Sequence, residues 1–114
     1  MKVYLALTFG CVAMFAADRG HAARCDQEEA VVATPMLGCI EQKASEIERL
    51  MNNILDAGHL IGKHLCTWQK EALAQAIADC RSINLLDAMN EATTYATDVA
   101  VEKVYLYRVA RGAL

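Results

Sequence analysis

Two pairs of cysteines with the same internal spacing, Cys25/Cys39 and Cys66/Cys80, constrain this chain more than any other feature. The members of each pair lie 14 residues apart. Fourteen helical steps rise about 21 Å, and a disulfide needs its Cα atoms within about 7 Å. Neither pair can therefore close along one straight helix. If both segments are helical, the bridges run between them. Parallel segments give Cys25–Cys66 with Cys39–Cys80, and antiparallel segments give Cys25–Cys80 with Cys39–Cys66. Either arrangement puts a staple at each end of a helix pair.

The bridged state of these cysteines follows from the start of the chain. Lys2 precedes a run of 15 residues, VYLALTFGCVAMFAA, broken only by Thr8 and Gly10. The run meets Asp18 and Arg19 short of the roughly 18 to 20 apolar residues that span a bilayer. It reads as a secretory signal peptide over residues 1–22, with small residues at Gly20 and Ala22 for the peptidase; cleavage after residue 16 or 17 is the alternative. Cys11 leaves with the leader, and an even set of four cysteines in a secreted chain implies two disulfides. Residues 23–114 make one small domain, too short for two. Losing residues 1–22 removes Lys2 and Arg19 against Asp18, which moves the net charge from −3 to −4. An acidic domain without a basic cluster is a poor candidate for binding nucleic acid or anionic lipid. It also differs from cationic peptides that break membranes. No second apolar run provides a membrane span.

Periodicity predicts an all-α fold, a compact bundle of about five short helices stapled by two disulfides. Asp26 with Glu29 reads as a capping box opening a first helix, which Pro35 after Thr34 kinks or restarts. Ser45 with Glu48 predicts a second start, followed by Ile47, Leu50, Met51, Ile54 and Leu55 on one face and a stop at Gly58. Residues 58–65, GHLIGKHL, read as a connection. Thr67 opens a helix with Leu73, Ala76, Ile77 and Cys80 along its buried stripe. Asn84 caps the next, with Leu85, Met89, Ala92 and Ala96 on one face. Residues 98–111 fit a last helix, though their valines and tyrosines also favour strand. In an up-down-up course the first and third helices run parallel, which favours Cys25–Cys66 and Cys39–Cys80.

Few residues offer chemistry. The glycines form no phosphate-cradling loop, and Cys66 beside His64 is expected to be bridged and not nucleophilic. Glu28, Glu29, Glu46 and Glu48 read as helix-start residues on solvated faces. The expectation is therefore a protein that is not an enzyme. His21, His59 and His64 are the only histidines, and imidazole suits copper or zinc. Trp68, Tyr95, Tyr105 and Tyr107, with Met51 and Met89, are candidates to line a pocket for a small apolar ligand, and at helical spacing equally for ordinary core.

The stretch from Arg24 to Cys39, with Ile40-Glu41 after the second cysteine, resembles microplusin-like antimicrobial proteins of ticks. So do the Ser45 helix start and Cys80 followed by Leu85-Leu86-Asp87-Ala88-Met89. The resemblance implies a secreted five-helix protein of arthropod haemolymph or saliva that starves microbes by binding copper, without disrupting membranes. That family carries six cysteines and histidine-rich tails, whereas this chain ends RVARGAL. A copper ion would fall to His21, His59 and His64, with His21 kept only where cleavage follows residue 16 or 17, and a microbial surface is the other implied partner. Two further expectations stand beside it: a carrier of small hydrophobic ligands, like insect odorant-binding proteins, and a salivary or venom effector that binds a host protein.

Overall fold

The computed structural model describes the backbone of residues 2–112 and the side chains of residues 21–112. The side chains of the expected leader thus fall almost wholly outside the description. Four helices follow one another: α1 (Lys2–Ile47), α2 (Ile54–His64), α3 (Thr67–Arg81) and α4 (Leu85–Ala110). No strand occurs among the described residues. None of the helices among them is long and apolar enough to cross a membrane.

The all-α expectation holds, with four helices in place of about five. Asp26 and Glu29 do not open a helix, because α1 runs through them, and Pro35 also lies inside α1. Proline removes the hydrogen bond to the carbonyl four residues back. Pro35 sits on the exposed side, where water can take that role, so α1 continues past it. At the other end α1 stops at Ile47, and Ser45 and Glu48 form no capping box. The Ser45 hydroxyl donates instead to the Gln42 carbonyl at 2.8 Å. Asn53 is the true cap of α2, its side chain accepting from the Asp56 N–H at 3.1 Å. The segment GHLIGKHL is therefore helix and not connection. Asn84 caps α4 as expected, accepting from the Asp87 N–H at 2.8 Å. Residues 98–110 are helical and continuous with that start.

Helix α2 explains the disulfides. Only Leu65 and Cys66 separate α2 from α3, and they do not reverse the chain: Leu65 is extended and Cys66 adopts the left-handed region at φ 54°. Helices α2 and α3 thus form one bent course running antiparallel to α1. The ammonium of Lys70, almost fully buried, donates to the carbonyls of Gly62 (2.7 Å) and Lys63 (3.0 Å) and ties the start of α3 onto the end of α2. Burial pulls its pKa down, with the nearby Glu71 countering. The bridges are accordingly Cys25–Cys80, Cα atoms 5.7 Å apart, and Cys39–Cys66, 5.9 Å apart. The expected Cys25–Cys66 and Cys39–Cys80 pairs are corrected, because an up-down-up course puts α1 parallel to α4 and not to α3.

Helix α4 packs on all three others. Its Ala88, Ala92, Ala96 and Ala100 are fully buried, followed by Val104. Four-residue steps drift about 40° per step around a helix, so the stripe winds from α3 at one end toward α2 at the other. There Gly58 and Gly62 bring the backbones into contact. A Cβ built on Gly62 would lie 2.4 Å from the Thr97 Cα, and one on Gly58 would lie 2.9 Å from the Val101 Cα. Around this joint the core is Met36, Ile40 and Ala44 of α1, Ala57 and Ile61 of α2, and Leu73, Ala74, Ile77 and Ala78 of α3.

Two outcomes test this arrangement. Trypsin leaves Cys25 and Cys39 in one peptide, and cyanogen bromide then cuts between them at Met36. Mass spectrometry after both should find the Cys25 fragment joined to residues 71–81 and the Cys39 fragment to residues 64–70. The substitution Gly62→Ala, helpful in an ordinary helix, should here destabilise by about 1 to 3 kcal/mol through overpacking. Gly38→Ala, with nothing near its Cβ position, should stabilise by roughly 0.5 to 1 kcal/mol, both read by thermal or urea unfolding.

Candidate ligand-binding site

Where α1, α3 and α4 meet near the Cys25–Cys80 bridge, they leave a partly open cleft of about 370 Å³. Its floor is Ala33, Leu73 and Ile77, all buried, with Ala30 at one side and Tyr95 at the other. Each helix contributes by simple periodicity. Asp26, Glu29, Ala30 and Ala33 share one face of α1, Leu73, Ile77 and Arg81 share one of α3, and Glu91 and Tyr95 are one turn apart on α4. The volume lies toward the small end of pockets that take organic ligands.

The mouth is charged. The Arg81 guanidinium donates to both oxygens of Glu29, at 3.1 and 2.5 Å, and to Glu91 at 2.7 Å. The Glu29 hydrogen bonds raise the pKa of Arg81 above its ordinary value, and the charges of Glu91 and Asp26 add to this. Glu29 is buried and paired, against the expectation of a solvated face. Asp26 is exposed and forms no ion pair among the described residues. Two carboxylates thus pair with one guanidinium, and a third, that of Asp26, lines the same cleft.

The candidates from sequence are mostly elsewhere. Of the aromatic and methionine set only Tyr95 lines this cleft. Trp68 and Tyr105 are exposed, Met51 and Met89 pack half-buried at the margin of the core, and Tyr107 is half-buried. The Tyr107 hydroxyl donates to Glu41 at 2.7 Å, and Lys103 pairs with the same carboxylate at 3.0 Å. The three histidines are not brought together. His21 is exposed on α1, its Nε2 3.9 Å from the Cys25 sulfur. His59 and His64 are exposed on α2, and five residues turn their directions about 140° apart. His64 lies by the other bridge, about 21 Å along α1 from Cys25. Among the described residues no three His, Cys, Asp or Glu side chains are placed to hold an ion. Cys66 is bridged and is no nucleophile.

A second polar assembly, at the far end of the bundle, is structural. Glu48, 3% exposed, accepts from Arg108 at 3.3 Å and from Arg111 at 2.6 Å. Arg108 also donates to the carbonyls of Glu48, Met51 and Asn52, the groups left unpaired where α1 ends. The Arg111 hydrogen bonds hold the Glu48 carboxyl below the usual range, with burial opposing and Arg108 assisting.

Because its folded pKa lies below the unfolded value of about 4.3, Glu48 stabilises the fold fully above that pH. The contribution is lost as pH falls through the lowered folded value, since the unfolded chain binds more protons in that window. Glu48→Gln should lower the melting temperature near pH 7, on the order of 5 to 10 °C. The gap to the parent should narrow as pH drops below about 4, followed by circular dichroism.

Compared with protein-family models, with curated proteins and with solved structures, the chain matches none, so its site rests on its own geometry.

Proposed function

We propose that this chain acts outside the cell as a small sequestering protein that holds an organic molecule with an apolar body in the cleft between α1, α3 and α4. The observation that carries the reading is the cleft itself. Its floor of Ala33, Leu73 and Ile77 is apolar, and the charged groups of its lining are Asp26, Glu91 and the Glu29–Arg81 pair. Apolar walls with a few convergent polar groups are what small-molecule sites need. The two disulfides, with no membrane-crossing helix among the described residues, support a working place outside the cell. Of the expectations drawn from sequence, this is the carrier of small hydrophobic ligands. The copper reading draws no common ligand set from His21, His59 and His64. A defence role of the kind implied by the tick-protein resemblance would then run through withdrawal of an organic molecule.

The test is displacement of a fluorescent apolar probe, N-phenyl-1-naphthylamine, from the oxidised protein. Saturable binding is expected. Ala30→Trp, at an exposed position on the wall of the cleft, should weaken it at least tenfold while the melting temperature holds. An equal loss in Val31→Trp, which points away from the cleft, would locate the probe elsewhere and sink the reading. Absence of probe binding, together with micromolar Cu²⁺ binding that disappears when all three histidines are replaced by alanine, would return the copper reading.

A further inference from the structure

We infer that the molecule held in the cleft carries a cationic amine at one end and an apolar body at the other. This deepens the proposed function and rests on it. The inference comes from which groups at the mouth remain free to meet a ligand. Arg81 is engaged with Glu29 through two hydrogen bonds and with Glu91 through a third. An anionic headgroup would have to approach a guanidinium already flanked by carboxylates, and would meet Asp26 as well. Counting Asp26, Glu29 and Glu91 against Arg81, the mouth carries a net charge of −2. A neutral headgroup would leave that charge uncompensated beside a low-dielectric floor, where fields reach further than in water.

An ammonium group reverses both objections. Asp26 offers an exposed carboxylate with no ion pair among the described residues, and Oε1 of Glu91, the oxygen not taken by Arg81, adds a second acceptor within the same lining. Tyr95, partly exposed at the cleft wall, presents an aromatic ring, and a cation over such a ring gains further attraction. The apolar body then lies against Leu73 and Ile77. The selective element is the charge of the headgroup, and the floor contributes affinity to any apolar body of the right size.

A matched series with one body separates these effects: 2-phenylethylamine, 2-phenylethanol and 3-phenylpropanoate, each titrated against the oxidised protein by calorimetry or probe displacement. The amine should bind at least tenfold tighter than the alcohol, and the carboxylate more weakly than either. The amine's advantage should shrink about threefold or more between 50 and 500 mM NaCl, because the charges at the mouth are partly exposed. Asp26→Asn should cut the ratio of amine to alcohol affinity by about threefold or more, with Glu91→Gln as a second variant. Thermal melting checks that both variants are folded. An alcohol that binds as tightly as the amine overturns the amine preference and leaves the apolar cleft standing. An amine advantage unchanged in both variants also overturns it, because the preference would then arise elsewhere. If no member of the series and no apolar probe binds, both the inference and the proposed function fall.

Discussion

Two covalent links, Cys25–Cys80 and Cys39–Cys66, hold α3 against α1 across about four helical turns, and the remaining elements are arranged around that pair. The loops they close are 55 and 27 residues long. In the chain-entropy model these contribute up to about 4 and 3.5 kcal/mol, upper values because unfolded chains retain some structure. Such links matter because the interior is thin. The buried stripe of α4 is alanine at four successive turns, and among the described residues no aromatic side chain is fully buried. Each alanine withdraws little apolar surface from water compared with leucine or phenylalanine. The gain of using alanine is proximity, since helices with small side chains at their contact can approach closely.

Ion pairs at the two ends complete the work of the bridges. At the Cys25–Cys80 end, Arg81 joins α1 to α4 by way of α3. At the other end Arg108 and Arg111 of α4 enclose Glu48 and take the carbonyls exposed where α1 stops. The buried carboxylate of Glu48 has the buried Arg108 as its partner, and the positive charge left over belongs to Arg111, whose side chain reaches water, so no buried charge lacks a partner, which is the condition under which burial of ions is tolerated. The turn at residues 48–53 therefore belongs to the C-terminal helix as much as to its own sequence.

That dependence explains what could be read from the sequence and what could not. The helical class, the cap at Asn84, the start of α3 at Thr67, and the buried stripe through Leu73 and Ile77 are local patterns and were legible. The cleft was not legible, because Arg81, one turn beyond that stripe, meets Glu29 and Glu91 from two other helices. The end of α1 was not legible, since Ser45 and Glu48 imitate a helix start and the partner that overrides them lies 60 residues away. The glycines in GHLIGKHL read as a loop because their role is close approach to Thr97 and Val101, which only the assembled bundle shows. The parallel disulfide pairing followed from that misread loop: a connection there implied a reversal, and a helix there removed it.

The same contrast between the two halves of α4 accounts for the position of the cleft. Toward its C-terminal half, glycines on α2 draw the helices into backbone contact and leave no space. Toward its N-terminal half, α3 presents Leu73 and Ile77, which hold it off its neighbours, while α1 offers only Ala30 and Ala33 opposite. Large side chains on one helix facing small ones on another leave a gap unless a third fills it, and Tyr95 stands at the margin instead of inside. The gap stays open because the nearest disulfide and the Glu29–Arg81–Glu91 pairing fix the three helix ends and prevent collapse onto the alanines. The groups that hold the cleft open also set its charge, so a change in its selectivity at Glu29 or Arg81 would carry a cost in stability, whereas Asp26 acts on Arg81 only through its charge, without a direct ion pair, and would carry less.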